Sequence, residues 1–198
     1  MKALLDAMQF KQIMDGCKHA VSTDNSRPIL SYIKLDIKGE TITAYACDGF
    51  RLAKVVVTNT VHAASNKEEF IAYIKPLTVP KQTVDMIFPI EISKDDNIVT
   101  VSMQTGDGKT EFSFEQPNSE FVNAESVIAA ALEHDREVAV NAAYIATAMK
   151  AIAKAITDKN NLAIMHSKAD PTKAIIIKGE GEGIDITQLV LPVRMPNR

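Results

Sequence analysis

The sequence offers little of what would make a secreted, membrane-bound or catalytic protein. It holds only two cysteines, Cys17 and Cys47, too far apart for a CxxC pair and too few for a disulfide framework, which points to a reducing, cytoplasmic setting. Long apolar runs are missing: the longest, Val127 to Leu132, falls far short of a membrane span. The opening MKALLDAMQF has no apolar core before its first acid, so no signal peptide is expected. A basic excess is missing too. The 22 Lys and Arg against 25 Asp and Glu leave a net charge of −3, so any nucleic-acid contact has to come from a local basic face. Catalytic signatures are also absent. There is no GxSxG, no P-loop and no GxGxxG after a strand. His19, His62, His134 and His166 are scattered, and the His134-Asp135 pair stands alone. Ser22 and Cys17 have no adjacent base. The Gly-rich Gly179 to Gly183 stretch is acidic, which is wrong for phosphate, and reads as a hairpin loop. These absences predict a protein that is not an enzyme and needs no metal or cofactor.

What is present is the composition of an ordinary folded protein, 46% apolar and 24% charged over 198 residues, enough for one or two compact domains. The clearest stretch runs from Ser26 to Val57. Ile33, Leu35 and Ile37 alternate with Lys34, Asp36 and Lys38, the period of a half-buried strand. After the Gly39-Glu40 turn, Thr41 to Cys47 is a second strand. After Asp48-Gly49, Arg51 to Val57 is a third. Phe50, Arg51 and Leu52 crowd the edge that follows this turn.

Around this meander the chain alternates between helix and strand. Met1 to Phe10 reads as a strand entering a helix or as the first helical turns. Gln9 to Val21 reads as helix, with Ile13, Met14, Cys17, Ala20 and Val21 on one stripe and Gly16 counting against it. Phe70 to Lys75 is a short strand. Pro76 and Pro80 argue against a long helix from Leu77 to Gln82. Met86 to Ser93 is a strand whose Pro89 suggests an edge or a bulge. Ile98 to Met103 and Thr110 to Glu115 form a hairpin about Gly106-Asp107-Gly108, and Ala124 to Leu132 is a short helical segment. Ala142 to Ile156, capped by Asn141, is a helix with Ile145, Ala148, Met149, Ile152 and Ile156 on its apolar side. Arg136 to Val140 before it is a strand, as are Leu162 to Ser167, Ala174 to Lys178 and Ile184 to Val193 after it. Each end of the chain therefore runs strand, helix, strand, strand, strand.

Five separated pieces carry a family resemblance. STDNSRPIL (Ser22 to Leu30), ACDGFRLA (Ala46 to Ala53), FVNAESVI (Phe121 to Ile128), the Asn-x-x-Tyr start of Val138 to Met149, and QLVLPVR (Gln188 to Arg194) occur in that order. Together they resemble the bacterial DNA polymerase III beta subunit, the sliding-clamp family, where ACDGFRLA is similar to ATDGHRLA and FVNAESVI to FPDYxxVI. Phe50 stands where the family has His and Val122 where it usually has Pro. The resemblance is poorest between Thr58 and Gln116, where no helix is evident and a whole βαβββ unit is not read. It implies an α+β, DNA-clamp (processivity) fold of repeated βαβββ units, with helices on one side of curved antiparallel sheets. Residues 1–125 resemble the middle clamp domain, and residues 126–198 a βαβββ unit like the second half of the last domain.

Two sites are implied by the resemblance. If the helices face the hole of a ring, Lys11, Lys18, Lys150 and Lys154 meet duplex DNA phosphates without reading sequence. The alternative is that these are ordinary solvated helix faces. The second site is a groove for short linear motifs of a DNA polymerase and clamp loader. Its positions are Leu30, Cys47, Gly49, Phe50, Arg51, Leu52, Val122, Ser126, Val127, Leu189, Val190, Leu191, Pro192, Val193 and Arg194. Aliphatic walls suit an apolar peptide, Gly49 lets a backbone approach closely, and Arg51 and Arg194 suit a carboxylate or carbonyls. The alternative is that the aliphatic members are plain core. Three readings stand: a shortened sliding clamp that forms a homo-oligomer around DNA, a clamp-like peptide-binding module that never closes a ring, and a small-molecule enzyme on an α+β scaffold.

Overall fold

The computed structural model describes residues 1–24, 26–58, 68–131, 139–156, 163–166 and 174–193. Arg194, the His134-Asp135 pair, residues 62–67 of the polar connector, most of the Arg136 to Val140 strand and the Asp170-Pro171 turn fall outside these.

Ala3 and Leu5 point inward from β1 (Lys2–Leu5) and are fully buried. Asp6 ends that strand and starts α1 (Ala7–Cys17), because its carboxylate accepts from the Met8 and Gln9 amides at 2.8 and 3.1 Å. The helix thus begins two residues before the predicted Gln9. Its last turn tightens into a 3₁₀ turn, Lys18–Ala20. The meander follows as read: β2 (Ile33–Lys38), β3 (Thr41–Cys47) and β4 (Arg51–Thr58), all antiparallel. Then come β5 (Phe70–Ile74), α2 (Lys81–Asp85), β6 (Ile90–Asp95), β7 (Ile98–Thr105) and β8 (Gly108–Glu115). The last part holds α3 (Ala124–Ala131), α4 (Ala142–Ala155), β9 (Ala163–His166), β10 (Ile175–Gly181) and β11 (Ile184–Val190).

Three expectations change. A second βαβββ unit exists, β5-α2-β6-β7-β8, with a helix of only five residues that starts directly after Pro80. A proline can precede a helix but cannot sit inside one, so the two prolines shortened this helix rather than removing it. Pro89 marks neither an edge nor a bulge. It lies just before β6, which is interior, between β1 and β7. The Gly179 to Gly183 loop is mostly strand: β10 runs to Gly181, and the turn is Glu182-Gly183.

The strands form a seven-stranded sheet, β5-β2-β3-β4-β11-β10-β9, and a four-stranded one, β1-β6-β7-β8. The first two units exchange their leading strands: β1 pairs with β6 of the second unit, and β5 pairs with β2 of the first. In the third unit the described part of the leading strand pairs through a bridge, Val140 to Pro192. β11 closes against β4 over Arg51↔Val190 to Val57↔Ile184. The repeat helices α1 and α4 lie side by side on one face of the large sheet and seal it. Ile42, Ala44, Val55, Val57, Ile177 and Ile186 beneath them are all but fully buried.

Two glycines allow this seal. A Cβ on Gly16 would lie 2.6 Å from the Val55 Cγ2. One on Gly179 would lie 2.5 Å from Ile152 Cγ2 and 2.7 Å from Ile156 Cδ1. Gly16 weakens α1 by propensity but lets it touch β4. The buried Gln188 amide also donates to the Gly16 carbonyl at 3.1 Å, tying β11 to α1. The opposite face carries a second, smaller core. There α3 covers Tyr45, Leu52, Ile176 and Leu189 with Ala124, Ile128 and Ala131.

Candidate functional site

The Asp48-Gly49 turn is built by one side chain. Asp48 Oδ1 accepts from the Phe50 and Arg51 amides at 2.9 and 2.7 Å, and Oδ2 accepts from Arg51 Nε and Nη2 at 2.8 and 2.6 Å. Gly49 sits at φ +90°, a conformation that strains any residue with a Cβ. The Arg51 guanidinium also lies over the Tyr144 ring, 4.9 Å from its centroid, and the Phe50 ring approaches the same tyrosine at 6.4 Å. Arg51 is therefore occupied by Asp48 and Tyr144. It braces the wall rather than offering a free fork to a carboxylate.

From this turn the β4–β11 ladder sets Leu52 opposite Leu189, and the Leu191 amide donates to the Phe50 carbonyl at 3.0 Å. Leu52 and Leu189 form the floor of a cavity of about 570 Å³. Its walls come from three places: Arg27 with Pro28, Ile29 and Leu30 of the 3₁₀ turn Pro28–Ser31, Cys47 and Gly49 to Leu52 at the Asp48-Gly49 turn, and Val122 and Val127 at α3. Leu191 completes the lining, and Ser119 and Glu120 sit at the rim. The Tyr45 hydroxyl and the Lys54 ammonium both reach Glu125 Oε1 at 2.6 Å, pinning α3 to the sheet. Burial pushes the Tyr45 hydroxyl well above its usual range, and the Glu125 carboxylate that it donates to pushes it further. Burial also raises the Cys47 thiol.

Most of the predicted groove converges here: Leu30, Cys47, Gly49, Phe50, Arg51, Leu52, Val122, Val127, Leu189 and Leu191 all line the cavity. Ser126 does not; it is exposed, and its amide donates to Asn123 Oδ1 at 3.1 Å in the first turn of α3. Val190 points to the opposite face and is fully buried in the main core, as the alternation of a strand requires. Pro192 bridges Val140, and the exposed Val193 donates its amide to the Ala139 carbonyl at 2.7 Å. Arg27, Pro28, Ile29, Ser119, Glu120 and Tyr144 were missed. The first three precede Leu30 directly, and Tyr144 was visible only as part of a motif.

On the other face, three of the four singled-out lysines meet. Lys11 Nζ lies 2.6 Å from Asp15 Oδ2, while Lys18 and Lys154 Nζ lie 2.6 and 3.0 Å from Oδ1. Burial alone would raise the Asp15 carboxyl, but the hydrogen bonds from Lys11, Lys18 and Lys154 outweigh it and hold it at about 2. Lys150 is exposed and joins no ion pair among the described residues. No helix among the described residues is long and apolar enough to cross a membrane.

Repeated βαβββ units, with antiparallel sheets on one side and lysine-bearing helices on the other, define a DNA-clamp fold. Residues 4–126 match the family described as DNA polymerase III beta subunit, central domain. That match covers more than half of the sequence, and the chain belongs to this family. Solved structures with the same fold include a DNA polymerase sliding clamp from Bacillus subtilis (TM-score 0.72, 13% identity, 99% of this chain and 65% of that one). The DNA polymerase III beta subunit from Thermotoga maritima is similar (TM-score 0.70, 14% identity, 99% and 66%). So is the DNA polymerase III subunit beta from Pseudomonas aeruginosa (TM-score 0.70, 11% identity, 98% and 67%). The chain thus spans about two thirds of the length of these clamps. No curated protein matches the sequence.

Proposed function

We propose that this chain is a non-catalytic processivity factor of the sliding-clamp type. It assembles as a homo-oligomer around duplex DNA and takes short linear motifs of a DNA polymerase and clamp loader in the groove. Residues 1–125 act in it as one clamp domain and 126–198 as half of another. The observation that carries the reading is the cavity over Leu52 and Leu189, left open on a face whose neighbours are covered by α3. Its mostly aliphatic lining favours an apolar peptide over a polar small molecule. The lysines of α1 and α4 give the other face a charge suited to phosphates of any sequence.

The test is titration with an aliphatic-aromatic clamp-binding peptide. Leu191→Asp sets an unpaired charge in the groove, and affinity falls by about thirtyfold or more. Unchanged affinity in a folded Leu191→Asp protein removes the groove. One observation favours a second reading, a peptide-binding module that forms no ring: the residues that line the groove all lie within this chain, which spans about two thirds of the length of the clamps it resembles. Light scattering across a concentration series separates the two, a discrete closed oligomer supporting the ring and a persistent monomer the module.

A further inference from the structure

The centre of the lysine patch is a carboxylate. Asp15 is only 6% exposed at the seam of α1 and α4, while Lys11, Lys18 and Lys154 around it are 37, 48 and 54% exposed. Lys11 reaches it from its own helix and Lys18 from the 3₁₀ turn that follows, one turn away on either side, and Lys154 comes from α4. A surface made only to grip phosphate has no use for a negative charge at its middle. A seam made only to pack helices has no use for three cations. Each ammonium commits one N–H to Asp15 and retains others for a further acceptor. Two cavities of about 190 and 320 Å³ are each lined by Lys11, Asp15 and Lys154, so an oxyanion reaches the ammoniums without displacing packed side chains.

We propose that Asp15 is an internal competitor for duplex phosphates, holding the three ammoniums in one place while subtracting one unit from their grip. This rests on the reading of α1 and α4 as DNA-facing helices. A protein that stays on DNA by encircling it does not need affinity to remain there, and a weaker hold on each phosphodiester lowers the barrier to moving along the duplex.

The experiment measures binding of a mixed-sequence duplex by fluorescence anisotropy over a range of salt, for the wild type, Asp15→Asn and Lys154→Glu. Asp15→Asn is expected to tighten binding about five- to tenfold at low salt and to steepen the log affinity against log salt slope by about one. Lys154→Glu weakens and flattens both. If Asp15→Asn leaves the slope unchanged or weakens binding while Lys154→Glu still acts, Asp15 only orders the lysines and the proposal falls. If neither variant changes binding, the DNA-facing reading itself fails. Should Asp15→Asn not fold, Lys18→Gln is compared with the Asp15→Asn, Lys18→Gln double variant. The double variant must show the steeper slope, and equal slopes overturn the proposal.

Discussion

The two faces of the seven-stranded sheet are made from the same strands and end in opposite states. Under α1 and α4 the inner face is closed to solvent, with helix backbone and sheet brought together at Gly16 and Gly179. On the outer face the short α3 covers part of the sheet and leaves Leu52 and Leu189 opening into a cavity. Alternate residues of β11 serve the two purposes: Ile184, Ile186, Gln188 and Val190 go to the core, and Leu189 goes to the groove. Burial on one side stabilises the fold. On the other side part of the sheet stays uncovered, and that open apolar strip is what the proposed peptide docking would use.

That contrast can be broken, most forcefully at the seal. Gly179→Val drives a branched side chain into Ile152 and Ile156, and chemical denaturation should show a loss of about 2–3 kcal/mol, partly restored by Ile152→Ala. Leu191→Asp, on the groove side, should instead leave stability within about 1 kcal/mol while removing peptide affinity. If both substitutions destabilise alike, the faces do not differ as described. A smaller effect is expected on the helix surface. Lys150→Glu with Lys154→Glu should flatten the salt dependence of non-specific DNA binding by about two or more, without altering peptide titration.

The smallest effect concerns pH. Burial pushes the His19 imidazole, in the turn after α1, down to about 4 from its ordinary value near 6.5. Between those values the unfolded chain takes up a proton that the folded chain refuses, so stability falls as pH drops from about 6.5 towards 4. Thermal melts should show this slope in the wild type and a shallower one in His19→Asn. Because Arg51 and Asp48 also act electrostatically on His19, peptide affinity should decline over the same range if the turn couples the two faces.

Much of this was legible in sequence because periodicity records which side of an element is buried. The meander from Ile33 to Thr58 and the stripe of α4 were read directly. Glycine and proline were harder, because their meaning depends on what lies across from them. Gly16 counted against a helix that needs it, and Gly179 looked like a loop although it is the notch that receives α4. In the groove, the members on β4 and β11 come through the motifs, and Val190 comes with them although strand alternation turns it inward. Asp15 is the instructive omission. Its spacing from Lys11 and Lys18 was in plain view, whereas Lys154 joins it from 139 positions away, a pairing no local pattern encodes.

The β4–β11 ladder also sets an order in time. Arg51 to Val57 leave the ribosome long before Ile184 to Val190, their partners in the sheet, have been made. Until β11 docks, Leu52 has no Leu189 beside it, the Phe50 carbonyl has no Leu191 amide to accept from, and the cavity lacks half its floor. On the proposed reading, a chain whose β11 has not docked cannot recruit a peptide, and binding becomes a report that this strand is in place.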